Sequence, residues 1–429
     1  MPPLWTASFV RITAIQFLTF AAFQLVTPVL PLYMGLFTSS ETVIGSAVGV
    51  FTLSAVAARL WMGVLIDRSG RAAVLVYGLA VFALTSALYA ATWSVASVML
   101  VRLLHGAAFG AATTAVGAMA ADVIPPARRA EGMGLFGTSV NLAQTVAPVL
   151  GFALVGLWGY SPTFLSGGVI AVLGLILARG QPETRVLEPA AGPAAGAPAT
   201  RPPATGTPAP RAPGVPARIA LEPGALIPSL LMFAVAMAFG GVMALIPLYA
   251  EELAIPNPGI LFTLLALAIL TVRLFAGRLA DRWGAVPLTS SGLVLAAAAL
   301  YLIGTRPDAF AVAGLPGGLL LGVLLYGFGH GSATPVAQGV SIARVPRARW
   351  GAASATFFSF LDLGIGAGAA ALGAVAEAVG LAAMYRVAAG LPLLGLVVLL
   401  ATRRHWTLVG EPEAGSTARA PASCPGATS

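Results

Sequence analysis

Apolar residues run through this chain in blocks too long for the core of a soluble domain. A membrane-spanning helix needs about 20 apolar residues. Twelve stretches meet that length: residues 11–34, 43–66, 72–92, 95–122, 131–157 and 162–179, then 225–250, 258–280, 286–305, 311–342, 350–377 and 380–402. Polar residues are concentrated in short segments between them. The longer blocks exceed one bilayer crossing and are expected to tilt or to project beyond it. The first block is too long for a signal peptide and has no clear small-residue cleavage site, so it is expected to be kept as a helix.

One segment breaks the pattern. Residues 181–224 hold 11 of the chain's 32 prolines, with much Ala, Gly and Thr and no apolar period. Such a segment has too little apolar surface to fold alone. It is predicted to be a disordered, partly polyproline-like cytoplasmic linker between an N-terminal half, 1–180, and a C-terminal half, 225–403. Residues 404–429 are predicted to be a disordered cytoplasmic tail. The halves repeat each other. Pro31-Leu32-Tyr33 closes the first block and Pro247-Leu248-Tyr249 the seventh. Arg59-Leu60 matches Arg273-Leu274, and Gly106, Gly110 and Thr113 match Gly327, Gly331 and Thr334.

The punctuation between the second and third blocks reads Gly63-Val64-Leu65-Ile66-Asp67-Arg68-Ser69-Gly70-Arg71. A near copy, Gly277-Arg278-Leu279-Ala280-Asp281-Arg282-Trp283-Gly284, lies 214 residues later, with Ala285 in place of the last Arg. This resembles the cytoplasmic loop signature of the major facilitator superfamily, G-x-x-x-D-R-x-G-R. Arg102-Leu103-Leu104-His105-Gly106 resembles the family's R-x-x-Q-G, with His for Gln. Gly134, Ala143, Ala147, Pro148 and Gly151 fall at the spacing of the antiporter signature G-x8-G-x3-G-P-x2-G-G, with Ala at two Gly positions and Phe152 at the last. The resemblance implies an all-α membrane protein, with twelve transmembrane helices in two pseudo-symmetric six-helix halves. Its binding site would sit near the midplane between the halves. The resemblance is to the twelve-helix drug:proton antiporter branch, and it implies proton coupling at Arg102. It further implies that Asp67, Arg68 and Arg71, with Asp122 and Glu131 in reach of Arg71, latch the halves, and that Asp281 and Arg282 do the same in the second copy.

Composition and charge narrow the picture further. The chain is 58% hydrophobic and 9% charged, against about 25% charged in soluble domains. Net charge is +8, and all 23 basic residues are Arg. They cluster in short loops, which is the pattern of a topology signal and not of a nucleic-acid-binding face. Arg68, Arg71, Arg128, Arg129, Arg278, Arg282, Arg344, Arg347 and Arg349 mark one set of loops; Glu41, Glu251, Glu252, Arg306 and Asp308 mark the other. The Arg-rich loops and both termini are therefore expected to face the cytoplasm. The single Cys424 leaves neither a disulfide framework nor a thiolate metal site. With no Walker sequence and no paired-His spacing, neither an ATP-driven pump nor a metalloenzyme is expected. No cofactor is expected; the partners are a small-molecule substrate, protons and the lipid bilayer, with no nucleic acid, and the chain is expected to be a monomer.

Ionisable residues inside apolar blocks are costly, by about 2.5–3.5 kcal/mol each on insertion scales, and are functional candidates by default. Asp362, flanked by aromatics and glycine, is the favoured protonation or substrate site. Alternatively it is an ion-pair partner of Arg102 or Arg386, or a ligand for a cationic substrate. His105, one turn from Arg102, is either part of the proton path or a hydrogen-bonded packing residue. His330 has the same two readings with less support. Gln24, Asn141 and Gln144 are expected on the cavity wall, with Phe23, Trp61 and Phe239 as apolar wall. Arg59 and Arg273 are expected to snorkel toward the interface as structural or gating residues. The function expected is export of a small amphipathic molecule by proton antiport. The alternatives are a proton-coupled importer of sugars or organic acids and a membrane ligand sensor without transport.

Overall fold

The computed structural model of the chain describes residues 3–125, 128–184, 221–346 and 349–406. Within these, the side chains of Asp67, Arg68 and Asp281 lie outside the described set, as do Gly63 and Gly277 beyond their helical backbone. Twelve helices among the described residues are long and apolar enough to cross a bilayer. They are α1 (Ala7–Gly35), α2 (Glu41–Ser69), α3 (Arg71–Ala91), α4 (Val95–Val123), α5 (Arg129–Trp158) and α6 (Tyr160–Arg179), then α7 (Pro223–Glu252), α8 (Gly259–Trp283), α9 (Ala285–Thr305), α10 (Gly317–Ala343), α11 (Trp350–Val379) and α12 (Leu381–Ala401).

Four of the turns are single glycines. Gly70 joins α2 to α3, Gly159 joins α5 to α6, Gly284 joins α8 to α9 and Gly380 joins α11 to α12, with φ of 85°, 83°, 88° and 83°. Their ψ values of 160°, −175°, 158° and 159° put all four in a region essentially reserved for glycine. Gly70 and Gly284 are 214 residues apart, and Gly159 and Gly380 are 221 apart. The same joint thus recurs at equivalent places in the two six-helix sets, which is direct evidence of an internal repeat.

The chain crosses an even number of times, so both ends of the described helices lie on one face. That face carries Arg71, Arg128, Arg282, Arg344 and Arg349; the other carries Glu41, Glu251, Glu252 and Glu377. Across the bundle, α2 packs against α11 and α5 against α8. At the Glu-rich face one apolar core spans both halves, from Met34, Ile44 and Tyr89 to Tyr249, Ile255 and Met384. Toward the Arg-rich face the two larger cores are separate. One, holding Phe9, Val74 and Met119, belongs to the first half; the other, holding Met232, Val340 and Phe357, belongs to the second. The halves are joined at one face and separate at the other.

Small residues make the join close. A Cβ on Gly45 of α2 would strike the Ala369 backbone of α11, and one on Gly259 of α8 would sit 2.6 Å from Cα of Val149 in α5. At the edge of the seam, Ser40 Oγ donates to Glu377 at 2.7 Å and the Thr42 amide at 3.2 Å.

Several boundaries differ from those read in the sequence. The apolar run from 311 does not open a helix: Ala311–Val312 pairs antiparallel with Leu315–Pro316, turning through Ala313 and Gly314 at positive φ, and α10 begins at Gly317. Pro28 and Pro31 interrupt α1 with a 3-10 turn at Thr27–Val29, as expected where ring and missing N–H disturb the ladder. The linker expected at 181–224 lies largely outside the described residues, but its edges are packed. Glu183 accepts from the Ala72 amide at 2.9 Å, Thr184 donates to Asp122 at 2.8 Å, and Glu222 is buried beside Thr356 and Arg349. The predicted tail lies outside the described residues beyond Trp406, which is itself buried.

A candidate substrate cavity between the halves

A cavity of about 490 Å³ lies between the halves, with walls from α1, α2, α4 and α5 on one side and α7, α8, α10 and α11 on the other. Its surface is chiefly aromatic and aliphatic. Phe23 stacks on Phe51 and Phe109 at centroid distances of 5.0 and 4.6 Å, and Phe239 stacks on His330 at 4.5 Å. Gln24, Asn141 and Gln144 are on the wall, where the sequence reading expected them, as are Phe23 and Phe239. Trp61 is not; it is 74% exposed on the outer surface of α2.

Among the described residues, three arginines and one carboxylate line this cavity: Arg59, Arg102, Arg273 and Asp362. Arg59 of α2 forms an ion pair with Asp362 of α11, so the pair crosses from one half to the other. The partner of Asp362 is therefore neither Arg102 nor Arg386. Arg59 and Arg273 also differ from expectation. Both turn into the cavity instead of reaching out to the interface, because the halves part toward the Arg-rich face and leave an open space beside them. Arg273 of α8 reaches Asn141 of α5 at 3.4 Å. The two contacts are related by the internal repeat. Arg59 and Arg273 share the 214-residue offset, and Asn141 and Asp362 share the 221-residue offset. At one of these equivalent places the partner is a carboxylate, at the other a neutral amide.

Arg102 is 1% exposed. Its guanidinium lies 4.7 Å above the Phe51 ring, an attraction by the ring quadrupole, and 3.4 Å from Thr27 Oγ1. It forms no ion pair among the described residues, and its Nε has no partner. His105, one turn on, does not join it on the wall. It is fully buried within the first half, with Tyr89 OH at 3.1 Å from Nδ1, Ser86 Oγ at 3.2 Å from Nε2, and the Phe82 ring stacked at 4.7 Å. Both ring nitrogens are occupied by groups of its own half.

The signature around the α2–α3 turn is partly described. Arg71 pairs with Asp122 at the end of α4. Glu131 instead takes Arg128 at 2.7 Å, three residues earlier in its own helix start. Arg282 is exposed at the end of α8. The calls on the side chains of Asp67, Arg68 and Asp281 fall outside the described residues. Along α5, Pro148 lies at the seam, where Gly259 approaches its carbonyl; Gly151 instead faces α1 of its own half, where a Cβ would meet the Leu25 backbone at 2.5 Å. Ala147 is buried, whereas Gly134 has open space beside it.

Two six-helix halves around a central cavity open toward one face define a membrane transporter. The sequence model described as Major Facilitator Superfamily matches residues 12–258 and 229–423, and the chain belongs to that family. It is a multi-pass membrane transporter of small molecules and not an enzyme. The chain is 23% identical over 390 residues to the staphylopine export protein of Staphylococcus aureus (strain Mu50), covering 88% of this chain and 91% of that one. It is 34% identical over 154 residues to the inner membrane transport protein YajR of Escherichia coli (strain K12), a match spanning 36% of this chain and only 34% of that protein. A crystal structure of the peptide transporter POT shares the fold, with a TM-score of 0.72, 17% identity and 93% and 94% of the two chains covered.

Proposed function

We propose that the chain exports a small amphipathic molecule by proton antiport, working by alternating access in the cytoplasmic membrane with both termini in the cytoplasm. Charge supports the orientation: basic loops are kept inside, and the face where the first described helix begins and the last one ends is the Arg-rich one. In that orientation the cavity is open to the cytoplasm and sealed outside by the core shared between the halves. This is the form that loads an outgoing molecule. The likeness to a protein named for export, along most of both chains, supports the direction.

The observation that carries the coupling is the Arg59–Asp362 pair, which bridges the halves inside the cavity. Asp362 is the one carboxylate among the described residues of the wall. Ionised, it holds Arg59 and ties α2 to α11. Protonated, it loses its charge, so the ion pair reduces to a weaker hydrogen bond from the Arg59 guanidinium to a neutral acid, and the halves part more easily. A proton bound at one face and released at the other then moves with the rocking of the halves. On the Arg-rich face, Arg71 and Asp122, with Asp67 and Asp281, form the latch that closes the cytoplasmic side in the opposite state.

The test uses proteoliposomes with an acid lumen, a broad solute panel and a lumenal pH dye. At least one solute draws protons out of the lumen as it is taken up. Asp362→Asn stops proton movement while leaving solute counterflow. A variant at this position that moves protons at the wild-type rate removes Asp362 from the mechanism.

A further inference from the structure

The two arginine contacts across the cavity are equivalent by the internal repeat and unequal in charge. Arg59 has Asp362; Arg273 has Asn141, a neutral side chain with one weak contact at 3.4 Å. Arg102, buried on the same wall, has no carboxylate among the described residues. Among the described residues, three guanidiniums against one carboxylate leave the cavity with a formal excess of two positive charges, inside a wall that is otherwise mostly aromatic and aliphatic. Arg102 is buried, and a cation in so apolar a setting is expensive unless something of opposite charge completes it; Arg273 is exposed to the cavity, where such a group can reach it.

We infer that the cavity is built for an organic anion, whose acidic group engages Arg273 in the place that Asp362 fills at Arg59, while its apolar body lies against the phenylalanines. The planar guanidinium suits a carboxylate, sulfonate or phosphate held through two parallel hydrogen bonds. Asn141 adds an amide donor beside it. Arg102 contributes a second, buried positive charge that favours an anion anywhere in the space. A cationic guest would meet the same excess as repulsion. This assignment of substrate class rests on the cavity being the transport site; it does not depend on protons being the coupling ion.

The experiment measures binding of three matched probes to the purified full chain in detergent: 2-naphthoate, the neutral 2-naphthamide and the cationic 2-naphthylmethylammonium. Naphthoate is expected to bind about tenfold or more tightly than either relative. Asn141→Asp restores at Arg273 the internal partner that Arg59 already has, and is expected to erase that preference while keeping the thermal stability of the parent. Arg273→Gln is expected to erase it too. Equal or tighter binding of the amide or the ammonium, no binding of naphthoate, or an undiminished preference for naphthoate in folded Asn141→Asp overturns the assignment. Proteoliposome flux of the same probes separates this from the coupling. Naphthoate transport indifferent to a pH difference sinks proton antiport and leaves the anion assignment standing. Proton-driven flux of the ammonium in preference to naphthoate does the reverse.

Discussion

At the scale of single residues, the contrast between Arg102 and His105 is instructive. They are one turn apart on α4, yet Arg102 faces the cavity and His105 faces the core of its own half. The imidazole sits between a hydroxyl on each nitrogen, under a stacked phenyl ring. A buried polar group so satisfied contributes about 1 kcal/mol per hydrogen bond and mostly fixes local packing. His105→Gln, which retains an acceptor and donors at similar reach, is therefore expected to transport with an unchanged pH profile. His105→Ala, which leaves a cavity and takes from Tyr89 its imidazole partner while Ser86 keeps its bond to the Phe82 carbonyl, is expected to lower the melting temperature in detergent. A shifted pH profile in the glutamine variant would put His105 back on the proton path. The residue-scale reading of the sequence found Asp362 and Arg102 because a charge within a long apolar block stands out. It did not find the pairing of Arg59 with Asp362, since the two are 303 positions apart. The signal was there nonetheless: the repeat that aligns Arg59 with Arg273 also aligns Asn141 with Asp362, so each arginine has its counterpart one half away.

At the scale of elements, the helices were legible because bilayer thickness sets their length, and length is visible in one dimension. What was not legible was how they stop. The run from 311 reads as apolar as any helix, but Gly314, Pro316, Gly317 and Gly318 favour a hairpin before α10 can start. Of the single-glycine joints, Gly70 and Gly284 were marked by the repeated loop signature, while Gly159 and Gly380 were hidden among 50 glycines, since only backbone dihedrals distinguish a joint from a packing glycine. Gly159 makes the cleanest test. It sits at φ 83° with no atom close enough to obstruct a methyl group, so any cost of Gly159→Ala is conformational. That cost is expected at about 1–3 kcal/mol, read as a lower melting temperature. Gly156→Ala, three residues earlier inside α5 and equally unobstructed, is expected to be neutral or slightly stabilising. Equal behaviour of the two variants would mean that the joint is not strained by a side chain.

At the scale of the whole molecule, the fold stores its conformational state in its cores. One core is common to both halves at the Glu-rich face, and the others are each private to one half. The seam between α2 and α11 depends on backbone approach at Gly45. Gly45→Val cannot be accommodated there without moving the helices apart, so it is expected to favour the state open at that face. A cysteine introduced at Thr42, with Cys424 replaced, is then expected to react faster with a membrane-impermeant maleimide than it does in the parent. An unchanged rate would show that the seam absorbs the bulk without opening. The duplicated architecture has one conspicuous irregularity. The offset between equivalent joints grows from 214 to 221 residues between α8–α9 and α11–α12, and the hairpin at Ala311–Pro316 falls in that interval. Its tip is exposed and carries no helix register to disturb. The second half is thus longer than the first over this interval, in an exposed hairpin, which makes the hairpin tip a natural mount for an epitope tag: antibody staining of intact cells would report, without any transport assay, which way round the molecule sits.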